Sequence, residues 1–520
     1  MAAALFDKIL IANRGEIACR IVRTARAMGY RTVAVFSEAD ADALHVKSAD
    51  EAVYIGASPP PESYLKIEAI LDAARRTSAG AVHPGYGFLA ENPDFAEACE
   101  AAGLTFIGPP ANVIRALGDK ASAKAYAAGC NVPCVPGYFG EDQSDRRLSL
   151  EAERIGFPLI IKAVAGGGGR GIRPVAGPGS FEGELHSARR EAMAAFGDAR
   201  LMLEKKIEEP RHIEVQIFGD AHGNVVHLFE RDCTVQRRRQ KIIEEAPSPV
   251  LDDALREKIT ASAVAIARAV RYRNAGTVEF ISDRDSNFYF LEVNTRLQVE
   301  HPVTEMLTGI DLVEWQLRVA SEEPLPLTQD KIERKGHAIE IRLCAEDPAN
   351  EFAPQTGRIE LWRPPAGGGI RVDSGIEEGG AVSPFYDSMI AKVIAHGASR
   401  AEAARKLRHA LTSAPLLGLR TNQALLSRLL ASKEFREATL SATSLDDWAR
   451  AGHVLLRDSV PSREMIALAA AIFANGSKMP FMMKLDCNDG VRGVSYRPGA
   501  DGASILEFDG DVSELRIEET

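Results

Sequence analysis

The stretch Phe288-Tyr-Phe-Leu-Glu-Val-Asn-Thr-Arg-Leu-Gln-Val-Glu-His301 decides how the chain is read. Odd positions are mostly apolar (Tyr289, Leu291, Val293, Leu297, Val299), and even positions after 290 are polar or charged (Glu292, Asn294, Arg296, Gln298, Glu300). Period-two alternation predicts a strand with one face in a core and the other lined with chemistry. Upstream, Thr277-Val-Glu-Phe-Ile281 has strand character and Asp283-Arg-Asp-Ser-Asn287 is turn-forming. Folding this hairpin about residues 285 to 286 sets Glu279 opposite Glu292, and cross-strand neighbours have Cβ atoms roughly 4.5–5.5 Å apart. Two carboxylates about 4 Å apart repel by roughly 4 kcal/mol at an effective dielectric of about 20. One is therefore protonated, or a divalent cation sits between them. Oxygen donors with no nearby Cys or His cluster favour Mg²⁺ or Mn²⁺ over zinc. A solvated hairpin with incidental charge is the alternative.

A chain of 520 residues predicts several domains. Its net charge of -11 argues against a general binder of nucleic acid or membrane surface. Seven cysteines are scattered, with no CxxC and no histidines at zinc spacing, so reduced thiols are expected. The N-terminus runs straight into Lys8-Ile-Leu-Ile-Ala12 without a basic leader, and the apolar run 465–474 is too short to span a bilayer. A cytoplasmic location is expected.

Working outward, residues 8–12 read as a buried strand, 13–16 as a turn and 17–28 as a helix stopped by Gly29. Strand and helix then alternate to about 107, which predicts a parallel, Rossmann-like α/β domain without the G-x-G-x-x-G fingerprint. The loop His83-Pro-Gly-Tyr-Gly-Phe-Leu-Ala-Glu-Asn92 follows a strand, where such sheets place ligands. Residues 112–128 read as one helix carrying Lys120, and Arg20 and Arg23 are expected near the exposed side of the first helix. A second α+β unit spans about 135–205. In it Lys162 precedes Ala165-Gly-Gly-Gly-Gly-Arg-Gly171, whose glycines (Gly166, Gly167, Gly168, Gly169) free backbone N–H groups for phosphate oxygens. A mobile linker is the other reading, and two flanking strands favour a hinged lid. The run Arg231–Lys241 is dense in cations and is either a solvated charge run or an anion-lining wall. Strands at 336–346, 358–362, 370–372 and 389–394 with two helices predict a further mixed β unit, and beyond 450 a few antiparallel strands are expected.

Several motifs, in one order, resemble the biotin carboxylase family of the ATP-grasp superfamily over residues 6 to 450. They are Ile11-Ala-Asn-Arg-Gly-Glu-Ile17, the loop 83–92, Gly118-Asp-Lys120, Ile161-Lys162 with Gly166–Gly171, Glu230-Arg-Asp-Cys233, Gln240-Lys241, Glu292 to Pro302 and Ala345-Glu-Asp-Pro348. The resemblance implies a pre-ATP-grasp domain at 1–117, an ATP-grasp domain at 118–325 with a β-rich lid at about 135–205, and a C-terminal domain at 336–450. Residues 451–520 are expected to be a partial bridging region without a biotinyl domain. The implied reaction makes carboxyphosphate from ATP and bicarbonate and passes the carboxyl group to protein-bound biotin.

Residue by residue, the resemblance implies that Glu279, Glu292 and Asn294 hold Mg²⁺ or Mn²⁺. Lys120, Lys162, His212 and the glycine loop would contact the nucleotide phosphates, and Glu204, Lys205, Ile207 and Gln236 its adenine side. Lys241, Arg296, Gln298 and the Val299 backbone would bind bicarbonate, with Glu300 the general base and Arg342 the cation facing the biotin enolate. Arg239 stands where the family usually has histidine, and Ala165 where it often has glycine. The only echo of a biotinylation motif is Met483-Lys484-Leu485, so the acceptor is expected on a separate carrier, with a carboxyltransferase β subunit and a homodimeric core. The final acceptor is expected to be an acyl-CoA of branched or methylcrotonyl type, with pyruvate, or a nucleotide-binding scaffold role, as alternatives.

Overall fold

The structure, a computed structural model, describes residues 6–165 and 171–457, together with the backbone of four strands between 481 and 515. The first layer is a parallel sheet of five strands in the order Glu51–Gly56, Arg31–Ser37, Lys8–Ile11, Ala81–His83 and Thr105–Phe106. Ile9, Leu10 and Ile11 are completely buried, as befits a central strand covered on both faces. Helix Gly15–Ala27 lays Ile17, Ala18, Ile21, Val22 and Ala25 into one core. Arg20 departs from its expected exposure. It is 2% exposed and donates to Glu305 and Asp311 at 2.8 Å each. Positions 16, 20 and 24 form one i, i+4 stripe that faces inward, and the two acids supply the counter-charge that burial requires. Arg23 does remain exposed.

The helix expected over 112–128 is two helices, Ala111–Gly118 and Lys120–Gly129. Asp119 lies between them in extended backbone and caps the second, accepting from Ser122 N at 2.8 Å. The lid is a four-stranded antiparallel sheet in the order Gly137–Tyr138, Leu201–Lys205, Leu159–Ala163 and Ile172–Val175, backed by helices Asp145–Ile155 and Pro178–Phe196. Gly166, Gly167, Gly168 and Gly169 lie outside the described residues, but the strands either side of them pair with each other as the sequence predicts.

The central sheet has eight antiparallel strands in the order Phe288–Asn294, Asn274–Ser282, Arg211–Gly219, Val225–Arg237, Gln240–Ala246, His337–Cys344, Met389–Gly397 and Ile370–Ser374. Strands from both sides of 325–336 thus share one sheet. The hairpin register sets Glu279 opposite Glu292, as predicted. A bulge then puts Phe280 opposite Phe290, so the simple odd–even alternation fails. Phe290 and Val293 enter the core, while Tyr289 and Leu291 stay half-buried. The strand also stops at Asn294: residues 295–300 are irregular, and helix His301–Thr308 begins with Pro302 in its first turn. Glu300 and Gln298 are therefore placed by a turn, not by a strand face.

Residues 452–520 form a second compact unit, in which strands Phe481–Cys487, Gly490–Pro498, Ser504–Phe508 and Asp511–Leu515 make an antiparallel meander. Lys484 lies within the first of them, opposite Gly493, away from any hairpin tip. Among the described residues no helix is long and apolar enough to cross a membrane.

Candidate active site

Three antiparallel strands bring polar side chains together, because residues directly across a ladder share a face. Glu214 is the register partner of Glu279, which is the partner of Glu292. Lys241 reaches in from strand Gln240–Ala246, and its Nζ contacts Glu214 at 2.5 Å, Glu279 at 3.1 Å and Glu300 at 2.5 Å. An ammonium has three donors, so these contacts use all of them. Arg342, from strand His337–Cys344, donates through Nε to Glu244 at 2.6 Å and through Nη2 to Glu300 at 3.0 Å. Burial alone would raise the pKa of Glu300, but Lys241, Arg342 and Arg231 outweigh it and hold the carboxyl well below the ordinary range. Glu300 is thus an ionised carboxylate, 2% exposed, held between two cations.

Glu279 is fixed as firmly. It accepts from His212 Nε2 at 2.9 Å, Asn294 Nδ2 at 2.8 Å and Gln298 Nε2 at 2.9 Å. Burial opposes its ionisation, yet Lys241 and His212 keep its pKa well below normal. The opposed Glu292 goes the other way, pushed up by burial and then by the Glu279 charge. Two facing carboxyls, one held ionised and one driven toward neutrality, fit a hard divalent cation between them; Asn294 lies beside them, its amide oxygen here accepting from Arg296. His212, Glu214 and Glu279 also bring ligand atoms within 4.8 Å of one another.

A cleft of about 570 Å³ opens onto this wall and is lined by Lys241, Arg296, Val299 and Arg342. It is also lined by Asn13, Glu16, Tyr86 and Phe88, from the two N-terminal motifs. Asn13 Nδ2 donates to the carbonyls of Pro84 and Tyr86 at 2.7 and 2.8 Å. That approach needs glycine at 85, where φ is +65° and a Cβ would lie 2.9 Å from Asn13 Nδ2. Glu91 holds Arg296 Nε at 2.8 Å, and Arg296 Nη2 donates to Asn294 Oδ1 at 3.2 Å. The carbonyl of Val299 accepts from the wholly buried Lys392 at 2.9 Å.

The nucleotide-side residues group less tightly. Lys162 and Lys124 both pair with the buried Glu204 beneath the lid. Burial lowers the pKa of Lys162 to about 8 and that of Lys124 to about 7, each also depressed by a neighbouring lysine. Lys205 instead donates to the backbone carbonyls of Gly156 and Phe157 at 3.3 and 2.9 Å. Ile207 is half-buried, and Gln236 is buried beside the Cys233 carbonyl at 3.5 Å. Lys120 opens helix Lys120–Gly129. Arg239 occupies a two-residue hairpin turn with Arg238, both at positive φ.

The sequence pattern does not single out Glu214, Glu244, Arg231, Lys124 or Lys392. Arg231, inside the cationic run, is wholly buried and bonds Glu214 at 2.5 Å, Gln216 and Thr304 at 2.8 and 2.9 Å, and Gln298 at 2.7 Å. It is therefore neither solvated charge nor cleft lining but the post that orients Gln298. A signal existed: His212, Glu214 and Gln216 repeat the period-two polar face of the strand beside them.

Residues 5–114 match the biotin carboxylase N-terminal domain family, 119–328 the ATP-binding domain of the carbamoyl-phosphate synthase L chain, and 340–447 the biotin carboxylase C-terminal domain. The chain is 48% identical over 494 residues, 95% of its length, to the mitochondrial methylcrotonoyl-CoA carboxylase subunit alpha of Rattus norvegicus, and covers 69% of that protein. It spans 59% to 69% of the methylcrotonoyl-CoA carboxylase subunits that it matches. With the biotin carboxylase of Nostoc it shares 49% identity over 85% of this chain and 99% of that one. Among solved structures, the biotin carboxylase domain dimer of Hydrogenobacter thermophilus 2-oxoglutarate carboxylase, in complex with MgADP, ADP and bicarbonate, superimposes with a TM-score of 0.83. It is 45% identical, over 88% of this chain and 99% of that one. Sequence, domain order and fold agree, and the chain belongs to the biotin carboxylase family of ATP-dependent ligases.

Proposed function

We propose that this chain performs the first half-reaction of an acyl-CoA carboxylase, in which bicarbonate and ATP carboxylate biotin borne on a separate carrier. The observation that carries the reading is Glu300, ionised between Lys241 and Arg342 at the wall of the cleft. Bicarbonate is a weak nucleophile, so it must be pinned, oriented and deprotonated. Lys241, Arg296, Gln298 and the Val299 N–H hold it, the anion taking over a Lys241 donor now spent on a carboxylate. Glu300 accepts its proton as the bicarbonate oxygen attacks the γ-phosphorus, breaking the bond to ADP and forming carboxyphosphate. The carboxyl group then passes to biotin N1′, and the departing phosphate takes the N1′ proton, with Arg342 facing the negative charge that develops on biotin.

Lys120, Lys162, His212 and the glycines 166–169 hold the phosphates, and Glu204, Lys205, Ile207 and Gln236 the adenine side. Glu279, Glu292 and Asn294 would hold Mg²⁺ or Mn²⁺, which would supply positive charge to neutralise the phosphates. A scaffold without catalysis is disfavoured, because Lys241, Glu279, Glu292, Arg296, Glu300 and Arg342 are all present. The acyl-CoA reading draws on the methylcrotonoyl-CoA carboxylase match, which extends over 95% of the chain and so beyond residue 447. It implies a biotinylated carrier, a carboxyltransferase β subunit and a homodimeric core. The six described cysteines are free, which favours a reducing compartment such as the cytoplasm.

Labelled bicarbonate, Mg-ATP and free biotin should give labelled carboxybiotin. Adding a biotinylated carrier and carboxyltransferase should move the label to a branched acyl-CoA, whereas label accepted only by pyruvate contradicts the acyl-CoA reading. Lys484, mid-strand, is not expected to be biotinylated. A streptavidin signal on this chain that disappears in Lys484→Arg would reverse that.

A further inference from the structure

Behind Arg342 two acids face each other. Glu244 and Glu340 are register partners on adjacent strands, and both are 0% exposed. Glu244 Oε1 accepts from Arg342, but its Oε2 has no protein donor, and neither has either carboxyl oxygen of Glu340. The charged or titratable groups facing Glu340 are Lys392, Glu244, Arg342, Glu300 and Tyr86. Lys392 is committed elsewhere, to the Val299 carbonyl at 2.9 Å and to Glu16 Oε1 at 3.1 Å. Tyr86 donates to Glu16 at 2.5 Å. Glu16, Glu244, Glu300 and Glu340 thus crowd around Arg342 and Lys392, while Lys241 is divided among Glu214, Glu279 and Glu300. A buried site cannot keep that excess of negative charge, and the acid without a donor is the one that neutralises.

We propose that Glu340 is a positioning residue that carries a proton shared with Glu244, so that one negative charge and not two stands behind Arg342. The consequence rests on the reading of Arg342 given above. With the pair singly charged, the guanidinium presents positive charge to the cleft. With the proton lost, the second carboxylate draws Arg342 back and weakens its field where charge develops on biotin. Burial supports the assignment, pushing Glu340 well above the carboxylate range and Glu244 up to about 7. The acid gains its proton in the fold and loses it as pH rises, so the defect is an alkaline one.

The pH profile of free-biotin carboxylation tests this in the full chain. Glu340→Gln is neutral at every pH and similar in shape. It should keep the neutral-pH rate within a few-fold and move the alkaline fall upward by about half a pH unit or more. Glu340→Asp should retain that fall. A Glu340→Gln profile superimposable on the wild type overturns the proposal. Infrared difference spectroscopy of the wild type against Glu340→Gln, both labelled at glutamate carboxyl carbons and checked for folding by circular dichroism, gives a readout independent of activity and cancels any band from Glu292. A buried carboxylic-acid band belonging to Glu340 should appear in the difference and disappear on alkaline titration. Its absence overturns the proposal even if the biotin reading stands, and its presence supports it even if that reading fails.

Discussion

On the hairpin wall Lys241 bonds three carboxylates and Glu300 sits between Lys241 and Arg342, whereas under the lid Lys162 and Lys124 share the one carboxylate of Glu204. The wall is over-supplied with acids, so its cations stay charged and its geometry is set before any substrate arrives. In the lid, burial first and a neighbouring lysine second pull Lys162 and Lys124 down to about 8 and about 7. Pre-organisation belongs to the wall. On the proposed function, the anion that completes the lid is a nucleotide polyphosphate.

The largest effect expected is on the wall's carboxyl pair. Glu292→Lys puts an ammonium opposite Glu279 and should leave no measurable Mg-ATP turnover, with the circular dichroism spectrum unchanged. Normal turnover with normal Mg²⁺ dependence would make the pair structural. Next comes Glu300→Gln, which keeps the shape but removes the base. It should lose about 10²–10⁴-fold in carboxylation rate while nucleotide binding, read by fluorescence titration, survives. Retention of more than half the rate would break the distinction between wall and lid.

Stability offers a third test. Arg20→Met removes the partner of Glu305 and Asp311 from a buried site, and should cost about 3 kcal/mol in denaturant unfolding. The low end of the range applies because Glu305 keeps Arg371 at 2.6 Å. An unchanged midpoint would return Arg20 to the surface.

The smallest effect is the lid's response to pH. A lysine whose folded pKa is depressed loses its proton as pH rises through 7 to 8, while its unfolded counterpart holds it to about 10.5. The unfolded state therefore binds more protons in that window, and this contribution to stability grows with pH. Nucleotide binding has the opposite sign, because phosphate favours the charged lysine. Calorimetry at pH 8 in buffers of different ionisation enthalpy should show proton uptake on binding, and affinity should fall modestly above that pH. Binding without proton uptake would mean the lysines are already charged.

Much of the wall could be read in the sequence, because a period-two pattern and a short turn determine which residues face each other. Glu279 and Glu292 are the clearest case. Where the reading failed, the backbone broke its own period. The bulge at the hairpin exchanged Leu291 for Phe290 in the core, and Pro302 ended the alternation by starting a helix. Pro302 was visible, and it argues for a helix start where a strand was extended. Arg20 and Arg231 were misplaced for another reason: a buried arginine and a solvated one look alike until their acids arrive from distant segments, Glu305 and Asp311 for one and Glu214 for the other. The facing of Glu244 and Glu340 likewise depends on pairing between strands almost 100 residues apart in sequence, which local pattern does not reveal.

The central claim is that the wall aligns bicarbonate to attack the γ-phosphorus. Oxygen-labelled bicarbonate tests it most directly, because the attacking oxygen leaves with the phosphate when the carboxyl group is transferred. Turnover of ATP, Mg²⁺, biotin and ¹⁸O-bicarbonate should place one label in each phosphate released, read by mass spectrometry. Phosphate carrying only oxygen from ATP and water would contradict it.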